Sequence, residues 1–287
     1  MTYKRRKKKT NVYEQVTERI IKALSNAQDS WVKTWKSAGG ANLTLPYNIV
    51  SKNNYRGANL ILTFCSGYSD PRWASYKQWK DNNCQVKKDE KGTKIIKFDT
   101  FVINKGTDDE EIKWYIKQFS VFNAEQVEGN VPSIIEPKED QSFQLSDIVE
   151  NYKKRENIRI LFGGNKAFYS PSKDAIVIPS YDDFNSEASF YSTLFHEMAH
   201  STGHKNRLNR PGIGEKFGSH EYSKEELIAE FTSAFIMAYT GREDDMSFEN
   251  SVEYLRNWST KLRENPNWAI SAASKAQKAM DYILGIQ

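Results

Sequence analysis

The chain has 287 residues, of which 38% are hydrophobic, and it carries a formal net charge of +4. This length suits two domains, each large enough for a core of its own. Its cysteines, Cys65 and Cys84, provide neither a disulfide framework nor a C-x-x-C metal motif, and no apolar run is long enough to span a bilayer. Composition therefore excludes a disulfide-stabilised secreted scaffold and an integral membrane protein, and we expect a cytoplasmic protein with no membrane partner.

The modest net charge conceals two halves of opposite sign. Residues 1–130 contain 23 Lys and Arg against 14 Asp and Glu, a net of +9, whereas residues 131–287 have 18 against 23, a net of −5. Six of the positive charges lie in the run Lys4–Lys9, so we expect residues 1–10 to form a basic disordered arm. Such an arm is either a DNA-affinity segment or a solvated tail, and the basic half as a whole indicates a polyanionic partner.

The N-terminal half is predicted to form an α+β domain over residues 11–130. Periodicity and turn signals define its elements. In chain order they are an amphipathic helix from Tyr13 to Leu24 ending near Trp31 and Trp35, a helix over Ser75–Asn82, and strands over Lys94–Ile103 and Glu111–Asn123 that form a hairpin around Lys105–Asp108.

A stretch with two prolines and several charges, Gly129–Gln144, indicates the domain boundary. We therefore predict a linker over residues 131–144 and a second domain over residues 145–287. Its predicted elements are a helix over Leu145–Glu156, strands near Ile158–Ile160, Ala167–Pro171 and Asp174–Pro179, two helices that carry the motifs below, and a final helix over Ala269–Leu284.

The most specific motif is His196-Glu197-Met198-Ala199-His200, which has the pattern H-E-x-x-H. Positions i and i+4 share one face of a helix, so both imidazoles can bind one Zn²⁺, while Glu197 can act as the general base for an attacking water. Apolar residues at helical spacing accompany the motif. The alternative is a pair of hydrogen-bonded histidines that flank a glutamate by chance.

A catalytic zinc site needs a third protein ligand, and the spacing to that ligand separates known designs. The metzincin pattern requires a histidine at position 206, where this chain has Asn206. His204 lies four residues beyond His200, but Gly203 should end the helix before His204 can align with it. We therefore look for the third ligand further along the chain.

A later acidic helix provides better candidates. Ser223 and Glu226 form an S-x-x-E capping box, which predicts that a helix begins there. Glu226 and Glu230 share a face, so one carboxylate can bind the metal while the other accepts the free N–H of a zinc-bound histidine. Alternatively these acids, and Glu225, only favour the positive end of the helix. We favour Glu226 as the ligand and Glu230 as the carboxylate behind it.

These motifs resemble the C-terminal zincin domain of ArdC-type antirestriction proteins. The matching segments are His196–His204, Arg207–Arg210, Phe217-Gly218 and Glu225–Glu230, preceded by the paired strands Ala167–Pro171 and Asp174–Pro179. The resemblance implies a gluzincin-like domain in which His196, His200 and Glu226 bind zinc and Glu197 is the base. The chain has Glu230 where aspartate is commoner in that group.

The N-terminal half resembles the ArdC N-terminal domain, a single-stranded-DNA-binding module that is also found fused to plasmid primases. The matching segments are Pro46–Asn48, Tyr55–Asn59, Arg72-Trp73, Tyr76–Trp79, Lys91–Thr93 and Val121–Gln126. The fold class implied by both halves is α+β, with a DNA-binding module followed by a gluzincin-like metallopeptidase domain.

Basic residues interleaved with aromatic rings suit nucleic acid, since cations neutralise phosphates and rings stack on unpaired bases. The candidate cations are Arg56, Arg72, Lys77, Lys87, Lys88, Lys91 and Lys94, and the candidate rings are Tyr55, Trp73, Tyr76 and Trp79. The alternative is that the rings belong to the core and that the lysines only keep a face soluble.

Three functional hypotheses follow from the sequence. One is an antirestriction zinc metallopeptidase that its N-terminal module delivers to single-stranded DNA, and possible further partners are double-stranded DNA and a protein substrate such as a restriction enzyme subunit. Another is a DNA-coating antirestriction protein whose zinc site is structural or inactive. A third hypothesis is a regulator protease that cuts a repressor. One Zn²⁺ per chain is expected, although the same ligands would accept cobalt or manganese.

Overall fold

The computed structural model describes residues 11–25, 45–64, 66–107, 109–134, 144–216, 218–241 and 258–286. Some sequence predictions fall outside these residues. They are the basic arm over residues 1–10, the Trp31 and Trp35 pair, Cys65, Asp108 of the hairpin turn, Phe217 and most of the linker.

The N-terminal domain is a twisted sheet with short helices around it. Its elements are α1 (Val12–Ser25), β1 (Tyr47–Asn48), α2 (Ala58–Phe64), β2 (Arg72–Ala74), α3 (Tyr76–Asp81), β3 (Cys84–Val86), β4 (Thr93–Ile103), β5 (Glu111–Asn123) and β6 (Val127–Gly129). The four-stranded sheet has the order β1-β2-β5-β4, and β3 pairs with β6. The predicted hairpin is confirmed, since β4 and β5 pair antiparallel from Thr93↔Val121 to Ile103↔Glu111. The predicted helix over Ser75–Asn82 is confirmed as α3, which the Ser75 hydroxyl caps.

The second domain places a small sheet beside a helical bundle. Its elements are α4 (Leu145–Glu156), β7 (Arg159–Phe162), β8 (Phe168–Ser170), β9 (Ala175–Ile178), α5 (Glu187–Thr202), α6 (His220–Thr240), α7 (Ser259–Glu264) and α8 (Asn267–Leu284). Strand β9 lies between a parallel β7 and an antiparallel β8. Helix α5 packs against α6, and α6 packs against α8.

The start of α6 differs from the prediction. The helix begins at His220, and the hydroxyl of Ser219 accepts the backbone N–H of Tyr222 at 3.1 Å. Ser223 lies in the first turn, where its hydroxyl accepts a hydrogen bond from Lys261 Nζ at 3.1 Å. The predicted capping box of Ser223 and Glu226 is therefore wrong, because the serine one turn earlier provides the cap and extends the helix.

One hydrophobic core is shared by both domains. Val16 and Ile20 of α1 belong to the same buried cluster as Ala273 of α8, and α1 packs against α7 and α8. The hydroxyl of Thr17 donates to the carbonyl oxygen of Pro266 at 2.7 Å. The N-terminal domain also has a smaller cluster around Trp79, so the larger cluster is common to both domains and the smaller one belongs to the N-terminal domain. Among the described residues, no helix is long and apolar enough to cross a membrane.

Candidate metal centre

Helix α5 brings the two motif histidines together. Ser186 caps its first turn by accepting the backbone N–H of Ser189, and Gly203 ends it. His196 and His200 lie one turn apart, with their Nε2 atoms 3.1 Å from each other. Both imidazoles therefore direct the same type of nitrogen towards one point.

Helix α6 adds a carboxylate at that point. Glu226 Oε2 lies 3.6 Å from His196 Nε2, and Glu226 Oε1 lies 3.5 Å from His200 Nε2. One ligand atom from each of these residues lies within 4.8 Å of the other two. Two imidazole nitrogens and one carboxylate oxygen form a donor set that fits a zinc-type ion. Among the described residues they are the His, Cys, Asp or Glu group that could hold a metal, and His204 is outside it.

The far side of each imidazole faces another carboxylate of α6. His196 Nδ1 lies 3.3 Å from Glu230 Oε1, and His200 Nδ1 lies 3.4 Å from Glu225 Oε1. These contacts favour the tautomer that carries its proton on Nδ1 and leaves Nε2 free for a metal. The placement of Glu230 agrees with the sequence-based expectation. The corresponding role of Glu225 was not predicted, although the presence of three acids on one helix was a signal for it.

Glu225 also forms a buried ion pair that sequence reasoning missed. Arg210 Nε donates to Glu225 Oε2 at 2.8 Å, and both side chains are almost fully buried. Burial alone would raise the pKa of the Glu225 carboxyl, but the hydrogen bonds from Arg210 and His200 outweigh it and lower that pKa. Arg210 is part of the matched segment Arg207–Arg210, so the resemblance was the available signal.

The charged groups of the centre shift the pKa values of His196 and Glu226 in opposite directions. Burial opposes protonation of His196, but attraction to Glu230 and hydrogen bonds to Glu226 and Glu230 outweigh it and raise the pKa of His196 well above 6.5. Burial would likewise raise the pKa of the Glu226 carboxyl, yet His196 and His200 hold it at about 2. The acidic groups around His196 therefore favour its protonated form.

Glu197 belongs to the cleft beside this cluster. Its side chain is mostly buried, and it lines a cavity of about 360 Å³ together with all three candidate ligands. The other walls come from β8 and its neighbours, from the loop before α6, and from Tyr222. Tyr222 lies one turn before Glu226 and hydrogen bonds to it. The arrangement places the Glu197 carboxylate next to a metal-type donor set in an open cleft.

The predicted DNA-binding rings separate into buried and exposed residues. Trp73 is 1% exposed and Trp79 is 0% exposed, and the Nε1 of Trp79 donates to the carbonyl oxygen of Phe122 at 2.9 Å. Both tryptophans are therefore core residues, and their prediction as stacking platforms is wrong. Tyr55 is mostly buried, whereas Tyr76 is 48% exposed. Only Tyr76 of these four keeps a substantially exposed ring.

The predicted cations divide in a similar way. The guanidinium of Arg72 is mostly buried against the carboxylate of Asp70 and the carbonyl of Pro132, so its prediction as a phosphate contact is wrong. Arg56 forms an ion pair with Asp281 of α8 and joins the two domains. The remaining candidates, Lys77, Lys87, Lys88, Lys91 and Lys94, are exposed.

The β4–β5 hairpin presents exposed rings that the sequence did not single out. Trp114 is 71% exposed and Phe101 is 46% exposed. Phe101 lies opposite Lys113 in the strand register, and Lys97 lies opposite Lys117. The alternation of apolar and polar residues along a strand could not distinguish these rings from core residues. It shows which side chains share a face, but not which part of a long hairpin is covered by the rest of the protein.

Comparisons with known proteins cover both halves of the chain. Residues 10–122 match the family described as N-terminal domain of anti-restriction factor ArdC, and residues 147–275 match the family described as zincin-like metallopeptidase. Two DNA primase TraC proteins of Escherichia coli are each 32% identical to it over 96% of this chain, which spans only 20% and 27% of their lengths. The uncharacterized protein y4eC of Sinorhizobium fredii is 30% identical over 96% of this chain and 92% of that protein.

Two solved structures are similar over nearly the whole chain. The metal-free antirestriction ArdC protein from plasmid R388 has 30% identity and a TM-score of 0.74, covering 96% of this chain and 97% of that one. Its Mn(II)-bound structure has a TM-score of 0.73 and the same identity, and 98% of that chain is covered. Both halves of the chain match the corresponding family models, and its fold matches the solved ArdC structures. The chain therefore belongs to the ArdC-type antirestriction family and combines an ArdC N-terminal domain with a zincin-like metallopeptidase domain.

Proposed function

We propose that this protein is a metal-dependent peptidase that acts in antirestriction, with zinc held by His196, His200 and Glu226. The observation that carries the proposal is the convergence of these three side chains in the cleft that Glu197 also lines. A purely structural zinc site is usually closed by four protein ligands, whereas a catalytic one keeps an open position. The three-residue donor set in an open cleft fits the second class.

Each residue around the metal has its own proposed role in peptide hydrolysis. The metal, when bound, would supply Lewis acidity towards the scissile carbonyl. Glu197 accepts a proton from the attacking water and returns it to the leaving amine. Glu230 and Glu225 hold the two imidazoles in the productive tautomer. Tyr222, whose side chain lines the cleft, hydrogen bonds to Glu226 and so helps to hold that carboxylate beside the two imidazoles.

Strand β8 is the proposed docking edge for the substrate. It pairs with β9 along one side, and Phe168 and Tyr169 of β8 line the cleft. An extended peptide can add to such an edge through main-chain hydrogen bonds. Phe168 is 47% exposed, so the cleft favours an apolar substrate side chain at the position that contacts it.

The N-terminal domain is proposed to bind single-stranded DNA. Support comes from the exposed Tyr76 and the lysines around it, and from the hairpin, which exposes Trp114 on one face and Phe101 with Lys113 on the other. Cations and exposed rings are the chemistry that unpaired DNA requires, and double-stranded DNA would use the cations alone. The proposed protein substrate is a restriction enzyme subunit that acts on the same incoming DNA.

The decisive variant is Glu197→Gln, with Glu187→Gln, an exposed glutamate at the start of the same helix, as a matched control. We expect Glu197→Gln to retain zinc and DNA binding but to lose cleavage and the protection of unmodified DNA in a restricting host. The rate should fall by about 10²–10⁴-fold, the usual contribution of a general base. The control should behave as the wild type.

The same variant separates the alternatives. Full protection by Glu197→Gln with intact DNA binding would favour a DNA-coating protein with a structural zinc site. Because this variant should hold substrate without cutting it, affinity capture followed by mass spectrometry identifies the target. A captured restriction subunit supports the proposal, whereas a captured repressor favours a regulator protease.

A further inference from the structure

Arg210 is a buried cation in the loop between α5 and α6, and its guanidinium contacts the end of α5 and a carboxylate of α6 that lies behind His200. Its Nη1 donates to Thr202 Oγ1 at 2.7 Å, and its Nη2 donates to the carbonyl oxygen of Ala199 at 2.7 Å. Its remaining partner is Glu225. A buried charge is costly unless it is paired and hydrogen-bonded. This guanidinium is compensated by groups from the end of α5 and from α6.

Glu225 extends this contact to a candidate metal ligand. Both of its oxygens accept from Arg210, and Oε1 also lies 3.4 Å from His200 Nδ1. The planar guanidinium restricts the carboxylate to one orientation, because a two-pronged contact fixes direction as well as distance. The carboxylate in turn restricts the imidazole ring. Arg210, Glu225 and His200 therefore form a continuous chain of contacts that ends at His200 Nε2.

Two glycines allow the loop to approach this closely. A Cβ atom at Gly203 would lie 2.5 Å from Ile213 Cγ1 and 2.9 Å from Arg210 Nη2. A Cβ atom at Gly212 would lie 2.6 Å from Glu225 Cβ and 2.7 Å from the carbonyl oxygen of Glu221. A larger residue at either position would displace the loop. The two glycines therefore allow the loop to lie close enough to both helices for Arg210 to contact Glu225.

We propose that Arg210 is a positioning residue that acts through Glu225 to orient His200, and that it thereby sets the metal affinity of the centre. The inference rests on the proposed metal site and extends it to a residue that does not contact the metal. Groups behind metal-binding histidines typically change metal affinity by about 10–100-fold. A guanidinium that only joined α5 to α6 would change the stability of the fold without changing that affinity.

The test is a set of zinc affinities measured on the full chain by competition with a chromogenic chelator at fixed pH. We expect Arg210→Met to weaken zinc binding by about 10–100-fold and Arg210→Lys to restore part of the loss. In the Glu225→Gln background, Arg210→Met should cause no further loss, because its route to His200 is already broken. The double variant also leaves no unpaired buried charge, so it keeps the test available if a single variant does not fold.

Arg207→Met is the matched control. Arg207 is equally buried, and it pairs with Asp174 and Glu156 and donates to the carbonyl oxygen of Ser201 rather than to a carboxylate behind a candidate ligand. Its replacement should lower stability but leave the zinc affinity within about twofold. Visible absorption of the cobalt-loaded proteins adds a readout of ligand geometry, and only the Arg210 and Glu225 variants should change it.

Three results would overturn the inference. They are an unchanged zinc affinity in Arg210→Met, an additive effect of Arg210→Met in the Glu225→Gln background, and an equal loss of affinity in Arg207→Met. These outcomes leave the proposed function intact as long as the wild type binds metal. A wild type that takes up neither zinc nor manganese refutes the metal centre itself, and the inference with it.

Discussion

Truncation of one buried side chain in α1 should destabilise the other domain. Ile20 is 0% exposed and belongs to the cluster that includes residues of α8. Ile20→Ala removes about three methylene equivalents, worth about 0.8 kcal/mol each, and the incompletely relaxed cavity adds about 1 kcal/mol. The expected loss in the free energy of unfolding is therefore about 3–4 kcal/mol, within the range of about 2–5 kcal/mol known for such truncations.

The assay combines urea unfolding, followed by circular dichroism, with hydrogen–deuterium exchange of peptides from α8. We expect a lower urea midpoint and faster amide exchange in α8, because α1 covers it. Ile112→Ala is the matched control, since the same truncation at a side chain that is 60% exposed should cost less than about 0.5 kcal/mol.

Two outcomes would refute the shared core. One is a loss below about 1 kcal/mol. The other is a normal loss in which exchange quickens in α1 while α8 remains as protected as in the wild type. Either result would mean that the domains fold as separate units and that the apolar contact between them contributes little.

Three further predictions concern the centre and the DNA surface. The double variant His196→Ala/His200→Ala should bind no zinc yet bind single-stranded DNA as the wild type does; loss of both activities would contradict separable modules. Because the pKa of His196 in the metal-free fold is raised above 6.5, its protonation stabilises that fold fully below about pH 6.5, and this contribution disappears as pH rises through the folded-state pKa. Zinc must displace that proton, so zinc affinity should rise with pH, with proton release measured by calorimetry in different buffers; a pH-independent affinity would contradict the assignment. Trp114→Ala should weaken binding of single-stranded DNA by about 1–3 kcal/mol in a fluorescence anisotropy assay across a salt series without changing the salt slope; an unchanged affinity would exclude the exposed hairpin ring from the DNA surface.

Local patterns in the sequence were sufficient to predict most helices and strands and to place the two histidines of the metal centre together. The spacing of His196 and His200 required only that α5 be helical, because a helical turn alone places positions i and i+4 on one face. Helix α4 and strand β5 have the predicted bounds, since periodicity and turn residues act over a few residues.

The same patterns could not assign a partner to each acid of α6. Glu225, Glu226 and Glu230 are chemically alike and close in sequence, yet one contacts His200 Nδ1, one faces both Nε2 atoms and one contacts His196 Nδ1. Their roles depend on the rotation of α6 against α5. That rotation is a property of helix packing, which no local sequence signal specifies.

The sequence by itself therefore determined the helices and strands and the helix face that carries His196 and His200. Both depend only on residues that are close together in the chain. Tertiary structure alone decided that Trp73 is core while Trp114 is exposed, that α1 joins the core of the second domain, and that Arg210 reaches Glu225. In each case the deciding contact comes from a segment far away in the sequence. Burial and ion pairing depend on which surfaces meet after folding, whereas periodicity reports only which faces a segment offers.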